Sequence, residues 1–230
     1  MTTEPAPSWS AHWEEPAHRQ RVTVEARDYI TRLRSALPVR GIDRVLDFGC
    51  GCGHAVELLA PAVAAVGYWD AAPEMRRATA YRVARFPTAF PVDLARPSPL
   101  GAFGRFDLIL VNGVVQYMGR DELRRWMSRW RTLLAPAGRI VLSDIPPPDA
   151  STVGELFGLL RFAAQHRFLA RAVRDGVTDA HRYSRQRGET CLTRWLPDEI
   201  VALAANNGMD AVVMPENLTH RAGRFTVVVQ

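Results

Sequence analysis

The sequence predicts an α/β fold: a doubly wound, mostly parallel sheet of seven strands. Three observations carry that expectation. Five strand-like apolar runs alternate with helix-like stretches between residues 44 and 143, the pattern of a parallel sheet with helices on both faces. The run Phe106–Val111 is apolar at almost every position, as a strand buried on both faces must be. Two further runs, Ala211–Met214 and Phe225–Val229, follow each other with no helix between them. The alternation therefore ends on a hairpin-like pair, with an antiparallel C-terminal strand. Right-handed crossovers leave the doubly wound arrangement as the simplest solution.

Each element has its own warrant. His18 to Leu37 keeps apolar residues at a 3–4 spacing (Val22, Ala26, Tyr29, Ile30, Leu33) and stops at Pro38, so it reads as a helix. Arg44–Phe48 is the first strand, followed by a glycine-rich turn and a helix from His54 to Ala60. Ala64–Trp69 is the second strand. Pro73 to Arg85 is a helix with proline near its first position, where the missing N–H costs nothing. Ala89–Val92 is a weak third strand, and Phe106–Val111 the fourth. Asp121 to Leu134 places Leu123, Trp126, Met127, Trp130 and Leu133 on one helix face, opened by Asp121 and closed by Pro136-Ala137-Gly138. Arg139–Ser143 is the fifth strand. Ala150 to Arg194 then reads as a basic helical insertion, and Pro197 to Asn206 as a last helix ended by Asn207-Gly208.

Composition sets the bounds. The chain has 230 residues, 47% hydrophobic and 23% charged, enough for one sizeable core without staples. We expect a single domain over 1–230, with an N-terminal cap region (1–40) and a lid or acceptor insertion (150–194). Three cysteines, with Cys50 and Cys52 two apart and Cys191 remote, give neither a disulfide framework nor a zinc spacing. No apolar run approaches the roughly 18 residues of a membrane helix, and Met1-Thr2-Thr3-Glu4-Pro5 lacks a signal-peptide pattern. A cytoplasmic protein, monomer or homodimer, with no membrane partner is expected. Net charge is +5, and all 29 basic residues are arginine. Without lysine, no Schiff base and no lysine general base can form. Charge of this size permits an anionic substrate and does not demand nucleic acid.

The densest signal is Val45-Leu46-Asp47-Phe48-Gly49-Cys50-Gly51-Cys52-Gly53. Three alternating glycines after a strand let the backbone turn tightly and approach a ligand, and the following helix offers free N–H groups. A dinucleotide loop needs G-x-G-x-x-G; this loop is G-x-G-x-G with Asp47 two residues before the first glycine. That carboxylate would repel a pyrophosphate and suit a cation. Asp70 ends the second strand, where an acid can hold both ribose hydroxyls, and Asp93 follows the third.

With those residues in place, the sequence resembles the class I S-adenosylmethionine-dependent methyltransferases of the small-molecule type, whose fold is Rossmann-like. The similar blocks are VLDFGCGCG (45–53), GYWDAAPEM (67–75), VDL (92–94), FDLILVNGVVQYM (106–118) and LLAPAGRIVLSD (133–144), with WLPDEIVALAANNGM (195–209) and FTVVV (225–229) behind them. The resemblance implies S-adenosylmethionine as cofactor, S-adenosylhomocysteine as product, and no metal. It implies that Gly49, Cys50, Gly51 and Gly53 line the methionine part and that Asp47 holds its amino group. Asp70, with Ala71 beside it, would take the ribose hydroxyls. Met75 would pack on the adenine, whose exocyclic amine would reach Asp93 with the Leu94 amide nearby. Asn112 would line the methionine side. Two departures stand out. Ala72 replaces the family's frequent serine cap, and Gln116 and Tyr117 stand where a histidine often follows the fourth strand.

Transfer of a methyl from a sulfonium needs alignment, exclusion of water and, for a hydroxyl acceptor, a proton acceptor. His181 in the insertion and Tyr117 after the fourth strand are the candidate catalytic residues. The insertion holds eight arginines against four acids. These read either as a solvated helix face or as a clamp on an acidic group of the acceptor, with Arg161, Arg182 and Arg185 as the substrate-binding candidates. Trp9, Trp13 and the 18–37 helix read either as a water-excluding cap or as cover for an apolar surface. The functional expectation is O-methylation of a small molecule in specialised-metabolite or sugar biosynthesis. The alternatives are an RNA or other nucleic-acid methyltransferase and a non-methylating S-adenosylmethionine-binding protein. The fourth strand ends Val111-Asn112-Gly113-Val114 and no RNA-binding module is recognisable, so nucleic acid is not the expected partner.

Overall fold

The computed structural model describes residues 16–94, 103–166, 192–221 and 223–230. Within them one seven-stranded sheet has the order β3-β2-β1-β4-β5-β7-β6. The strands are β1 (Arg44–Phe48), β2 (Ala65–Trp69), β3 (Ala89–Pro91), β4 (Phe106–Asn112), β5 (Leu134–Ile145), β6 (Ala211–Val213) and β7 (Phe225–Val229). The first five pair in parallel, and β7 runs antiparallel to both β5 and β6. The strand order reverses between β1 and β4, the place where a doubly wound sheet opens a crevice at its carboxyl edge.

The helices are α1 (Pro16–Ala36), α2 (His54–Leu59), α3 (Pro73–Val83), α4 (Arg120–Leu133), α5 (Thr152–Gln165) and α6 (Pro197–Ala205). Side-chain alternation along the central strands builds a core on each face of the sheet. Val45, Leu108, Leu110 and Val141 pack with Tyr29, Ile30 and Leu33 of α1 and with Val56 and Leu59 of α2. Leu46, Phe48, Ile109, Val111, Ile140 and Leu142 pack with Met127 and Trp130 of α4, Ile200 of α6 and Trp195. The first helix thus covers the sheet as an integral layer of the fold. Its Thr23 Oγ1 lies 3.2 Å from Nδ1 of His54. Burial, with Arg82 nearby, lowers the His54 pKa to about 4, so this imidazole joins two helices as a neutral group.

Three boundaries differ from the sequence reading. Helix α4 is capped by the extended backbone of Gly119, not opened by Asp121, whose carboxylate instead accepts from Arg124 at 3.1 Å. Pro136-Ala137-Gly138 lie inside β5 as a bulge, where the register against β4 jumps between Phe106 and Leu108. Ala137 adopts φ 60° there, a left-handed turn that keeps the ladder running on both sides of it. Residues 192–196, placed in or after a continuous helical insertion by the sequence, are non-helical. They lie along the carboxyl edge: Thr193 N donates to the Gln116 carbonyl at 2.8 Å, and Trp195 N to that of Pro146 at 3.1 Å.

Trp195 pins this return segment. It is fully buried, and its Nε1 donates to the Val115 carbonyl at 3.3 Å. Trp195→Ala should therefore destabilise the protein by ~3–5 kcal/mol, measured by urea unfolding. Tyr81→Ala, at a position 90% exposed, should stay within about 0.5 kcal/mol.

Candidate functional site

The loop after β1 is set by three left-handed glycines, with φ of 80° at Gly49, 51° at Gly51 and 77° at Gly53. The N–H groups of Gly49 and Cys50 both donate to the Trp69 carbonyl, at 2.7 and 3.0 Å, so the loop folds back onto the end of β2. Gly49 and Gly51 differ in why they are glycine. A Cβ on Gly49 would lie 2.3 Å from Cγ2 of Val114, whereas one on Gly51 would meet nothing within 4 Å. Gly51 borders open space, and its amide nitrogen donates to Oδ2 of Asp70 at 2.9 Å.

Asp70 is held from two sides. Its Oδ1 accepts from Ala72 N at 2.9 Å, which fixes the N-cap residue of α3, although no side chain caps the helix amides beyond it. Each oxygen keeps a lone pair for an incoming hydroxyl. Asp47 is 5% exposed, and among the described residues its carboxylate accepts no hydrogen bond. Burial, reinforced by the charge of Asp70, raises its pKa to about 7. A buried carboxylate without a donor is costly. A cationic ligand group would relieve both causes of that shift.

The remaining predicted cofactor residues spread along the same edge. Ala71 is exposed. Met75 is buried, with Cys52 Sγ 3.6 Å from its sulfur. Cys50 is buried against Thr79, and burial pushes its thiol well up. Such a thiol is inert packing. Asp93 is exposed, while Leu94 is 2% exposed and belongs to the core beneath. Asn112 ends β4, and its Oδ1 lies 3.0 Å from Ser143 Oγ.

Tyr117 is half exposed in the short 3₁₀ turn Val115–Tyr117 after β4. Arg161 is exposed on α5, turned roughly 100–120° around the helix from Glu155 and Phe162. His181, Arg182 and Arg185, like Trp9 and Trp13, lie outside the described residues.

The structure adds residues that sequence reasoning missed. Tyr29 of α1 reaches the strand ends, where its hydroxyl sits 3.2 Å from Ser143 Oγ. Burial, with Asp47 and Asp144 adding to it against the Ser143 hydrogen bond, keeps this phenol protonated. Its 3–4 spacing had read as core alone. Asp144, on the last turn of β5 with φ 62°, accepts from Thr219 Oγ1 at 2.7 Å, Arg221 Nη1 at 2.6 Å and Arg224 Nη1 at 3.1 Å. Burial raises this carboxyl, but the two guanidiniums and Thr219 outweigh it and hold it below the usual range. Its place after a strand was a usable signal; its partners, more than seventy residues on, were not.

Comparison with known proteins places this edge in context. Residues 46–140 match the family described as Methyltransferase domain. No curated protein matches the chain. Among solved structures, an amino pentose methyltransferase from Micromonospora echinaspora, CalS10, superposes with TM-score 0.59 at 18% identity, over 100% of this chain and 98% of that one. The mitomycin 7-O-methyltransferase MmcR gives 0.62 at 15% identity, over 96% of this chain and 60% of that one. The magnesium protoporphyrin IX methyltransferase of Synechocystis PCC 6803, solved with S-adenosylhomocysteine, gives 0.57 at 17%, over 98% and 89%. These identities speak for the fold.

The two central glycines predict different failures. Gly49→Ala should unfold at clearly lower urea, because both φ and Val114 oppose a methyl. Gly51→Ala should keep most of its stability, losing ~1–2 kcal/mol for the left-handed turn, yet weaken ligand binding at the loop, measured by calorimetry.

Proposed function

We propose that this chain is a class I S-adenosylmethionine-dependent methyltransferase, and that it methylates an oxygen atom of a small-molecule acceptor in the cytoplasm, in specialised-metabolite or sugar biosynthesis; the match of residues 46–140 to the methyltransferase domain and the shared fold support this reading. The observation that carries the cofactor half is the buried, donor-less Asp47 carboxylate facing the glycine loop. The residues present fit S-adenosylmethionine. Asp47 takes the ammonium, Asp70 the ribose diol through its remaining lone pairs, Gly51 leaves room for the chain between them, Met75 packs on the adenine, and Asp93 accepts from the adenine amine with the Leu94 amide beside it. The bound cofactor supplies an activated methyl on a sulfonium, so the protein need not activate a leaving group.

What the protein does is place the acceptor in line and dry. Helix α5, through Glu155, and the return segment 192–196 border the carboxyl edge beyond β4 and β5, and we assign the acceptor to that side. Tyr117 stands beside that space as the candidate proton acceptor, and His181 remains a candidate from the insertion. The similarity to CalS10 and MmcR, a sugar and a natural-product methyltransferase by their descriptions, supports the small-molecule reading. Of the arginine candidates, Arg161 is offered as an outlying contact to an acidic acceptor.

Calorimetric titration tests the cofactor. We expect micromolar binding of S-adenosylmethionine and S-adenosylhomocysteine and none of NAD; the reverse would overturn the reading. The pH dependence follows from Asp47. Its pKa rises from 3.8 unfolded to about 7 folded, so the folded state holds the proton longer. The free protein should lose stability as pH climbs from about 4 through about 7. The ammonium needs the ionised form, so S-adenosylhomocysteine affinity should rise with pH. Between pH 6 and pH 8 the gain should be about tenfold. Asp47→Asn should flatten this profile and weaken binding by about ten- to a hundredfold.

A further inference from the structure

We propose that Gln116 is an acceptor-binding residue that donates a hydrogen bond to an oxygen of the acceptor neighbouring the methylated one, and that Arg224 fixes it in that role. The proposal rests on the methyltransferase reading above and deepens it: the acceptor class is one carrying a carbonyl, carboxylate or ether oxygen beside its reacting hydroxyl.

Gln116 is 6% exposed, in the turn that follows β4. Its Oε1 accepts from Nη1 of Arg224 at 2.6 Å. Arginine has donors only, so the amide oxygen must face it and the amide nitrogen must face away. This orientation follows from chemistry and not from a choice between two similar atoms. Arg224, itself 5% exposed, cannot turn. Its Nε and Nη2 both donate to Oε1 of Glu155 on α5, at 3.0 and 2.8 Å. Its Nη1 also meets the carbonyl and Oδ2 of Asp144, at 3.2 and 3.1 Å. The Gln116 backbone is held as well, its carbonyl accepting from Thr193 N.

What remains is the Nε2 amide group. It makes no hydrogen bond among the described residues, and it is not one of the polar atoms sealed from solvent without a partner. It belongs to the turn that begins at Asn112 and Gly113, the strand end facing the loop of Asp47. Asp144 marks the same place, since a Cβ on Gly113 would sit 3.5 Å from its Oδ2. A pinned amide with two free protons is a donor built to wait for an acceptor oxygen. It is no base, so the proton of the reacting hydroxyl must leave by another route.

The test uses the full chain saturated with S-adenosylhomocysteine and three matched phenols substituted beside the hydroxyl: 2′-hydroxyacetophenone, 2-ethylphenol and 2-hydroxybenzylamine. Their dissociation constants are measured by ligand-observed NMR. Wild type should bind the ketone about fivefold or more tighter than 2-ethylphenol, one hydrogen bond's worth. Gln116→Leu should erase that difference. Gln116→Glu keeps a group for Arg224 but presents only acceptor oxygens, and should invert the order in favour of the amine. A purely structural Gln116 would not produce that inversion. Equal binding of the ketone and 2-ethylphenol to wild type, a preference surviving in Gln116→Leu, no inversion in Gln116→Glu, or no phenol binding while S-adenosylhomocysteine binds would each overturn the proposal. Failure of S-adenosylhomocysteine itself to bind would instead bring down the methyltransferase reading, and this one with it.

Discussion

One carbonyl organises the cofactor edge. The Trp69 oxygen, at the end of β2, takes the N–H groups of both Gly49 and Cys50. That pair of bonds turns the chain leaving β1 sideways across the mouth of its neighbour. Only left-handed backbone can make such a turn, so the glycines follow from the bond and not the other way round. Once the loop lies there, Gly51 N meets Asp70, and Asp70 comes close enough to Asp47 to raise its pKa. The two acids therefore share one field, into which the amides of Gly51 and Ala72 both point through Asp70. Below, Phe48 and Trp69 stack with ring centroids 4.5 Å apart, which fixes the two strand ends on the core side.

Much of this was legible in the sequence because it is local. Strand and helix periods, the glycine spacing and an acid at each strand end are all encoded within a few residues. The seven strands and the single reversed one emerged where the apolar runs placed them. The misplacements share a cause. Asp121 has the composition of a helix cap, but Gly119 supplies the extended backbone that starts the helix. Pro136-Ala137-Gly138 has the composition of a turn and is one, yet the ladder continues past it. Composition names a local event and leaves open which larger element contains it.

The acceptor side was illegible for a different reason. Its ordering contacts join Gln116, Asp144, Glu155, Thr193 and Arg224, residues far apart in the chain, and no periodicity marks them. Arg224 had counted only as one charge among many. In the structure it is one of several arginines used as planar hydrogen-bond forks. Arg44 donates through Nε to the Arg105 carbonyl and through Nη2 to that of Phe103, and Arg82 through Nε to the Cys52 carbonyl and through Nη1 to Glu57. A lysine ammonium could not hold two groups at fixed angles in the same way. In a chain whose basic residues are all arginine, a good part of the cationic surplus is backbone carpentry.

The reversed direction of β7 has an evolutionary consequence. In a wholly parallel sheet, each strand delivers only its last residue and the loop after it to the working edge. Because β7 runs the other way, the connection that precedes it arrives there too, bringing Thr219, Arg221 and Arg224. That connection is bounded by strands β6 and β7 at the far side of the sheet from the glycine loop. It can lengthen, shorten or change charge without moving β1 or β2. The architecture thereby separates the edge built on the glycine loop from a connection that can be rewritten at the other end of the same sheet.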